Sequence, residues 1–348
     1  MCDKICGSKC NTKEDFIRNE LEVYHYLKNP RTKMPFLPYN VFIEPTNTCN
    51  LDCIMCARQN MTKPLGFLSL ENFKIIIDKF VAENFYPPIT LTCDGEPLMN
   101  KDIFEMIKYA KEHKFHVSML SNSSLLDDEK IQKLIHSGLD RFQTDFDSID
   151  KEEYEKIRRG SSYEDTKSKI LKLIDENEKN GHKLYISIFI VRINSINKDN
   201  VDRTKEYWES KKVDNVYVSH LLSLEGDSGL SDEAMEGIDT SDFSKRPICV
   251  NPWVLANISY NGNVVLCGSD FNNRYVIGNI FQDSIQEMWN GQKAQAFRQA
   301  LLDKDGDFID RNNLGCRKCN CPDTGLAFED YLHDFPIRLR KKMESFHG

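Results

Sequence analysis

The sequence lacks any apolar run approaching the ~18 residues of a membrane helix, so no membrane partner is expected. It also lacks a secretory signal: Lys4, Lys9, Lys13 and Glu14 interrupt every apolar stretch near the start. A cytoplasmic, reducing location is the resulting expectation. Positive charge is in deficit, with 46 Lys and Arg against 54 Asp and Glu and a net charge of −8. This balance argues against non-specific binding to nucleic acid or to anionic membranes. There is no internal repeat and no low-complexity segment, and the eight histidines form no ligand-like pair. Apolar residues make up 40% and charged residues 29% of the 348-residue chain. Such a composition suits one large or two ordinary globular domains and excludes a disordered, collagen-like or small disulfide-bonded chain.

Cysteine is what the chain has in quantity: 12 residues, and they are grouped. Cys2, Cys6 and Cys10 come first, then Cys49, Cys53 and Cys56, then Cys93 alone. The last group is Cys249, Cys267, Cys316, Cys319 and Cys321. In a reduced compartment, cysteines at short spacing are metal ligands or catalytic thiols more often than bridges.

The periodicity between residues 40 and 222 alternates strand and helix. Strand-like stretches at 40–46, 89–93, 116–122, 141–147, 183–191 and 215–222 are separated by helical patterns at 69–84, 101–113, 127–138, 162–181 and 198–211. Ser69 is a candidate N-cap and Gly138 a candidate C-terminal stop. This rhythm predicts an α/β fold with a parallel sheet of about six strands, an open, partial (β/α)6 barrel rather than a closed barrel of eight. A helix is expected over 13–27. The expected division is an N-terminal extension (1–38), the barrel (39–222), an acidic Gly/Ser-rich linker (223–244), a small α+β domain (245–325) and a C-terminal helix (326–348). Within the small domain, Asn261-Gly262 signals a hairpin, and one helix is expected from Ser284 to Leu302.

The segment CNLDCIMC places Cys49, Cys53 and Cys56 at C-x3-C-x2-C directly after the first strand. Three thiols cannot complete a four-coordinate zinc site alone, but they can hold three irons of a [4Fe–4S] cluster and leave the fourth open. The spacing resembles the signature of the radical S-adenosylmethionine (radical SAM) superfamily. Further segments support the resemblance: DGEP at 94–97, SNS at 121–123 and DFDSIDKEEYEKIRRG at 145–160. The resemblance implies that the three thiols hold a SAM-binding cluster. It also implies that Gly95 permits close approach of the ligand, that Glu96 receives the SAM ammonium, and that Ser121, Asn122 and Asp145 make polar contacts. Arg158, with Arg159 as rival, is the candidate partner of the SAM carboxylate, and Met55 stands where the family commonly has an aromatic residue against adenine. Cys93 stands where the family has a small residue. It is a candidate hydrogen-atom donor to a substrate radical, the competing reading being a buried core thiol.

The C-terminal group resembles a SPASM/Twitch auxiliary-cluster domain across 247–267, 277–301 and 315–321. Cys249, Cys267, Cys316 and Cys319 are the candidate ligands of one auxiliary [4Fe–4S] cluster, a four-thiolate zinc site being the alternative. Cys321 is left over, and Cys2, Cys6 and Cys10 read as a set on the terminus. The resemblance implies reductive cleavage of SAM, fed by an external electron donor of flavodoxin or ferredoxin type, and hydrogen abstraction from a substrate. The reading favoured by a closed auxiliary cluster is an oxidoreductase that dehydrogenates a small polar molecule such as a sugar or aminocyclitol. The extension before the first strand reads as too short for a peptide-recognition domain. Peptide modification by crosslinking, epimerisation or sulfatase-type maturation, and a non-enzymatic metal-binding scaffold, are the rivals.

Overall fold

The computed structural model describes residue 21 and residues 23–324, apart from 227 and 240. Cys2, Cys6, Cys10, most of the 13–27 helix and the 326–348 helix lie outside the described residues.

Six strands run parallel in chain order: β1 (Asn40–Ile43), β2 (Ile89–Leu91), β3 (Val117–Ser121), β4 (Arg141–Asp145), β5 (Tyr185–Arg192) and β6 (Asn215–His220). Helices Leu70–Ala82, Ile103–Glu112, Asp128–His136, Tyr163–Lys179 and Val201–Glu209 lie between them, as the βα rhythm predicts. Alternation along the strands sends one set of side chains under the helices and the other toward the inner face. Val41, Ile43, Ile89, Leu91, Ile186, Ile188 and Ile190 belong to the first set and are buried with Phe73, Ile76, Ile77 and Phe80. The helix starts are fixed by the short polar residues read from the sequence: Ser69 Oγ accepts from Asn72 N–H at 3.1 Å, and Asp127 Oδ1 from Lys130 N–H at 2.8 Å.

β1 and β6 are not paired, so the barrel is open. β1 pairs in parallel with β7 (Leu255–Ile258), which continues antiparallel to β8 (Asn263–Val265) and β9 (Gly278–Asn279). The result is one nine-stranded sheet that runs from the barrel into the C-terminal region. The Asn261-Gly262 turn joins β7 to β8, with Gly262 at φ +86°, a conformation that suits glycine.

Three details differ from the periodicity. Residues 223–244 are partly helical, with turns at Leu224–Gly226, Ser231–Ala234 and Phe243–Lys245. The apolar stretch WVLANIS (253–259) before the hairpin turn, which reads as strand throughout, begins in a short helix, Asn251–Val254, because Pro252 suits a first helical turn. The expected helix over 284–302 is two, Ile285–Trp289 and Gln292–Leu302, broken at Asn290-Gly291. Trp289 Nε1 donates to Phe36 O and Trp253 Nε1 to Arg31 O, each at 2.8 Å, tying the segment before β1 onto the C-terminal region.

Candidate active site and auxiliary thiol cavity

The loop after β1 carries Cys49, Cys53 and Cys56. Its backbone is anchored to the end of the helix Lys151–Ile157: Asp52 N–H donates to Arg159 O at 2.9 Å and Ile54 N–H to Ile157 O at 3.1 Å. Each sulfur faces an N–H donor. Leu51 N–H meets Cys49 Sγ at 3.5 Å, Arg58 N–H meets Cys56 Sγ at 3.4 Å, and Arg158 Nη1 meets Cys53 Sγ at 3.8 Å. Burial pushes all three thiols up, Cys53 to about 12; Cys53 also feels the charge of Cys56 and Cys49, and Cys56 that of Cys49. Ligation must therefore displace protons that the protein alone retains.

Glu96 follows β2 and is buried. Its Oε1 accepts from Leu98 N–H at 3.0 Å and Ser121 Oγ at 2.7 Å, and its Oε2 from Asn122 N–H at 2.8 Å. A carboxylate has about four acceptor sites, so one remains for a ligand donor. Burial raises this carboxyl to about 7 against the opposing pull of those three hydrogen bonds. Gly95 has no room for a side chain: a Cβ there would lie 2.3 Å from Thr46 O and 2.6 Å from Thr48 O. Asn122 joins the two halves of the site, donating from Nδ2 to Asn50 Oδ1 at 3.1 Å and facing Cys49 Sγ at 3.8 Å. Thus Gly95, Glu96, Ser121 and Asn122 all gather beside the cysteine loop.

Arg158 is buried rather than part of a solvated surface run. Its Nε donates to Asp147 at 2.5 Å and its Nη1 to Asp145 at 3.1 Å. Asp145 is thereby occupied by Arg158, and Arg159 is exposed. Asp147, fully buried, is not singled out by the motif: the periodicity makes it the last residue of a strand, whereas β4 ends at Asp145 and leaves Asp147 free to turn to Arg158. Met55 packs with Ile54, Ile157, Ile193 and Leu221.

A second group missed by motif reading is the ion cluster of Glu44, Lys63 and Asp94. Lys63 Nζ lies 3.0 Å from Glu44 and 2.5 Å from Asp94, with all three side chains at 8% exposure or less. Burial alone would lower the Lys63 ammonium, but the two carboxylates outweigh it and hold it at about 12. Glu44 also accepts from the Tyr260 backbone N–H at 3.1 Å, linking the barrel rim to the β7–β8 hairpin. Cys93 adjoins this cluster at φ +111°, and burial followed by the charge of Asp94 keeps its thiol well above the usual range.

In the C-terminal region a single cavity is lined by Cys249, Cys267, Cys316, Cys319 and Cys321, with Phe243, Arg246, Phe297 and Leu301 among its other walls. All four expected ligands are therefore brought together, and Cys321 joins them. Contact with Cys321, then burial, raises the Cys319 thiol well above its ordinary value. Cys319 also feels the charge of Cys267 and Cys249. Between the two last cysteines, Asn320 is buried and donates from Nδ2 to Leu221 O at 2.8 Å and Ala234 O at 3.0 Å. Its Oδ1 receives Ser223 N–H at 2.9 Å. The cysteine-bearing tail is thus fastened to the end of the barrel. Among the described residues, no three His, Cys, Asp or Glu side chains converge as a single-ion site requires. A cubane cluster takes one thiolate per iron, so its ligands need not meet at one point.

A family model for the radical SAM superfamily matches residues 43–207, and one for an iron–sulfur cluster-binding domain, SPASM, matches 249–320. The chain belongs to the radical SAM superfamily. A [4Fe–4S] cluster, SAM and further iron–sulfur ligation come with these two domains, and the residues above fit them. The tungsten-containing aldehyde ferredoxin oxidoreductase cofactor-modifying protein of Pyrococcus furiosus is 24% identical, over 82% of this chain and 88% of its own. The PqqA peptide cyclase of Granulibacter bethesdensis is 24% identical, over 83% and 84%. Fe-coproporphyrin III synthase of Methanosarcina barkeri is 34% identical, but over only 36% of this chain and 30% of its own length. Among solved structures, BtrN in complex with AdoMet and 2-DOIA has a TM-score of 0.56 at 20% identity, covering 82% of this chain and 94% of its own. Streptococcus suis SuiB bound to precursor peptide SuiA has a TM-score of 0.61 at 15% identity, covering 85% and 74%. These structures share the fold. Among the described residues, no helix is long and apolar enough to cross a membrane.

Proposed function

We propose that this radical SAM enzyme carries out a net oxidation in which a substrate loses a hydrogen atom, a proton and an electron. The reading rests on the five-thiol cavity, which lies on the same continuous sheet as the three-cysteine loop and offers a place for a redox group that takes the second electron. In the barrel, Cys49, Cys53 and Cys56 hold the first cluster, and Cys249, Cys267, Cys316 and Cys319 hold one auxiliary cluster. When bound, the first cluster and SAM supply a 5′-deoxyadenosyl radical that removes a hydrogen atom from carbon. The protein's own residues position the ligand. Glu96 accepts from the SAM ammonium beside Ser121 and Asn122, and Gly95 lets the loop after β1 pass close enough to bring the cysteines beside it. Arg158 is committed to Asp145 and Asp147, so its part is to hold the Cys53 side of the loop in a charged, rigid frame. Met55 offers a thioether surface for adenine. The one-electron supply comes from an external donor of flavodoxin or ferredoxin type.

The favoured substrate is a small polar molecule with an oxidisable alcohol, a sugar or an aminocyclitol. A second reading, peptide crosslinking, is favoured by the match to PqqA peptide cyclase along most of both chains. Both are net oxidations and differ in substrate class. The test is to incubate the anaerobically reconstituted, reduced protein with SAM and, separately, with polyol and peptide pools. 5′-Deoxyadenosine should form, with loss of two hydrogens from a member of the polyol pool. That loss in a peptide alone moves the assignment to the second reading, and no 5′-deoxyadenosine with any pool removes the enzyme.

A further inference from the structure

Arg246 lines the thiol cavity with its side chain buried, at 5% exposure. Two of its three nitrogens are engaged by the cysteine-bearing tail. Nη2 donates to Cys319 O at 2.6 Å and to Asp323 Oδ2 at 2.5 Å, and Nη1 reaches Arg317 O at 3.4 Å. The third, Nε, is buried and has no hydrogen-bond partner. A buried donor on a cation is costly to leave unmade, so an acceptor is missing from this wall. Asp323 carries its carboxylate outward, its side chain 25% exposed, so the ion pair sits with its cationic half toward the thiols. Arg246 is also the one charged residue among those lining the cavity.

We propose that Arg246 is the hydrogen-bonding and charge-compensating partner of the auxiliary iron–sulfur cluster, its Nε–H donating to a cluster or thiolate sulfur. The proposal rests on the auxiliary-cluster reading above and adds to it a residue that tunes the cluster. A four-thiolate cluster gains negative charge on reduction, so a buried guanidinium that lines its cavity and donates Nε–H to it would stabilise the reduced form more than the oxidised one. Hydrogen bonds to sulfur and local net charge are the levers a protein has on such a potential. Lysine could supply the charge but not the planar fork that holds two carbonyls and a carboxylate while leaving Nε–H free.

The test uses the full chain with Cys53→Ala, which leaves the auxiliary cluster as the one that titrates, and follows its midpoint potential by EPR-monitored redox titration. Arg246→Gln should lower the potential by about 59 mV, a tenfold change in the one-electron equilibrium. Asp323→Asn should move it upward, because it strips the counter-charge from the guanidinium. A merely structural role for the pair predicts shifts of the same direction, or none, and either result overturns the proposal. Should Arg246→Gln fail to take up iron, Asp323→Asn alone decides: an upward shift supports the assignment, while no shift or a downward one overturns it. Absence of iron in the Cys53→Ala protein itself overturns the cluster, and with it this role for Arg246. Iron with unmoved potentials overturns the role alone.

Discussion

The two cysteine sites are built by opposite means. In the barrel, three thiols lie within one loop whose own backbone sets their positions: Cys56 N–H donates to Cys53 O at 3.1 Å, and two of the sulfurs accept from N–H groups two residues on. In the C-terminal region, five thiols come from three separate stretches. The β7–β8 hairpin brings Cys249 and Cys267 near each other, and Asn320 pins the last stretch to Ser223, Leu221 and Ala234. The charged surroundings differ as well. Glu96, a carboxylate with a free acceptor site, stands beside the first group, while a cation, Arg246, walls the second. The first site also holds a cation, Arg158, but there two acids, Asp145 and Asp147, pair with it, so on the proposed function Glu96 is left to receive a cationic ligand group while Arg246 faces an anionic cluster.

The largest expected effect separates the sites by function. The reconstituted protein should hold about eight irons, and Cys53→Ala and Cys267→Ala should each leave about four. Cys53→Ala should abolish cleavage of SAM altogether, whereas Cys267→Ala should keep cleavage and lose the oxidised product. Iron analysis and 5′-deoxyadenosine quantification check both. If Cys267→Ala also stops cleavage, the two sites do not divide the work as argued.

The same contrast governs what could be read in advance. The C-x3-C-x2-C loop, Glu96 and the polar ends of β2 and β3 lie within short motifs legible in the sequence, and the fold brings those motifs side by side. Gly95 shows the limit of that legibility: the motif assigns it to close approach of a ligand, whereas a Cβ there would meet Thr46 O and Thr48 O, in a segment far away along the chain. The burial of Arg158 is not legible in the motif, because Asp147, the acid that pairs with it, stands on the other side of the helix Lys151–Ile157. The Glu44–Lys63–Asp94 cluster joins three segments, and nothing in the spacing of those residues foretells it. Residues 223–244 looked like a linker by composition, yet Ser223 and Ala234 hold Asn320, a contact across nearly a hundred residues. The continuation of the barrel sheet through β7 was equally hidden, because strand order is decided by long-range pairing.

A smaller effect concerns the carboxylate that marks the first site. Burial raises Glu96 to about 7 from an ordinary 4.5. In the ligand-free fold it binds a proton across that window that the unfolded chain does not. Stability therefore falls as pH rises from about 4.5 to about 7, by about 3 kcal/mol in total. A cationic ligand group needs the ionised form, so SAM affinity should change in the opposite sense and be about tenfold weaker at pH 6 than at pH 8. Anaerobic calorimetric titration at the two pH values measures this. Glu96→Gln should bind weakly at both and lose the tenfold difference. A wild-type affinity that is flat across the range would place the ammonium elsewhere and blur the electrostatic contrast between the sites.

The smallest expected effect is at Cys93, the thiol that belongs to neither group. It sits at φ +111°, a region that L side chains rarely adopt, beside Asp94 and the Lys63 cluster. Cys93→Gly relieves that conformation, worth about 1–2 kcal/mol, and restores about 1 kcal/mol of unfolded-chain entropy, so stability should change by less than about 1 kcal/mol. The chemistry makes the sharper statement. In a net oxidation the substrate radical loses an electron, so no thiol hydrogen is returned to carbon. Product made in deuterated solvent should then carry no deuterium at that carbon, and Cys93→Ser should turn over fully. Solvent deuterium at carbon, together with a dead Cys93→Ser, would instead make Cys93 the hydrogen-atom donor of an epimerase. The electron would then have no need to leave by way of the second site, and the thiol cavity would lose its part in the reaction.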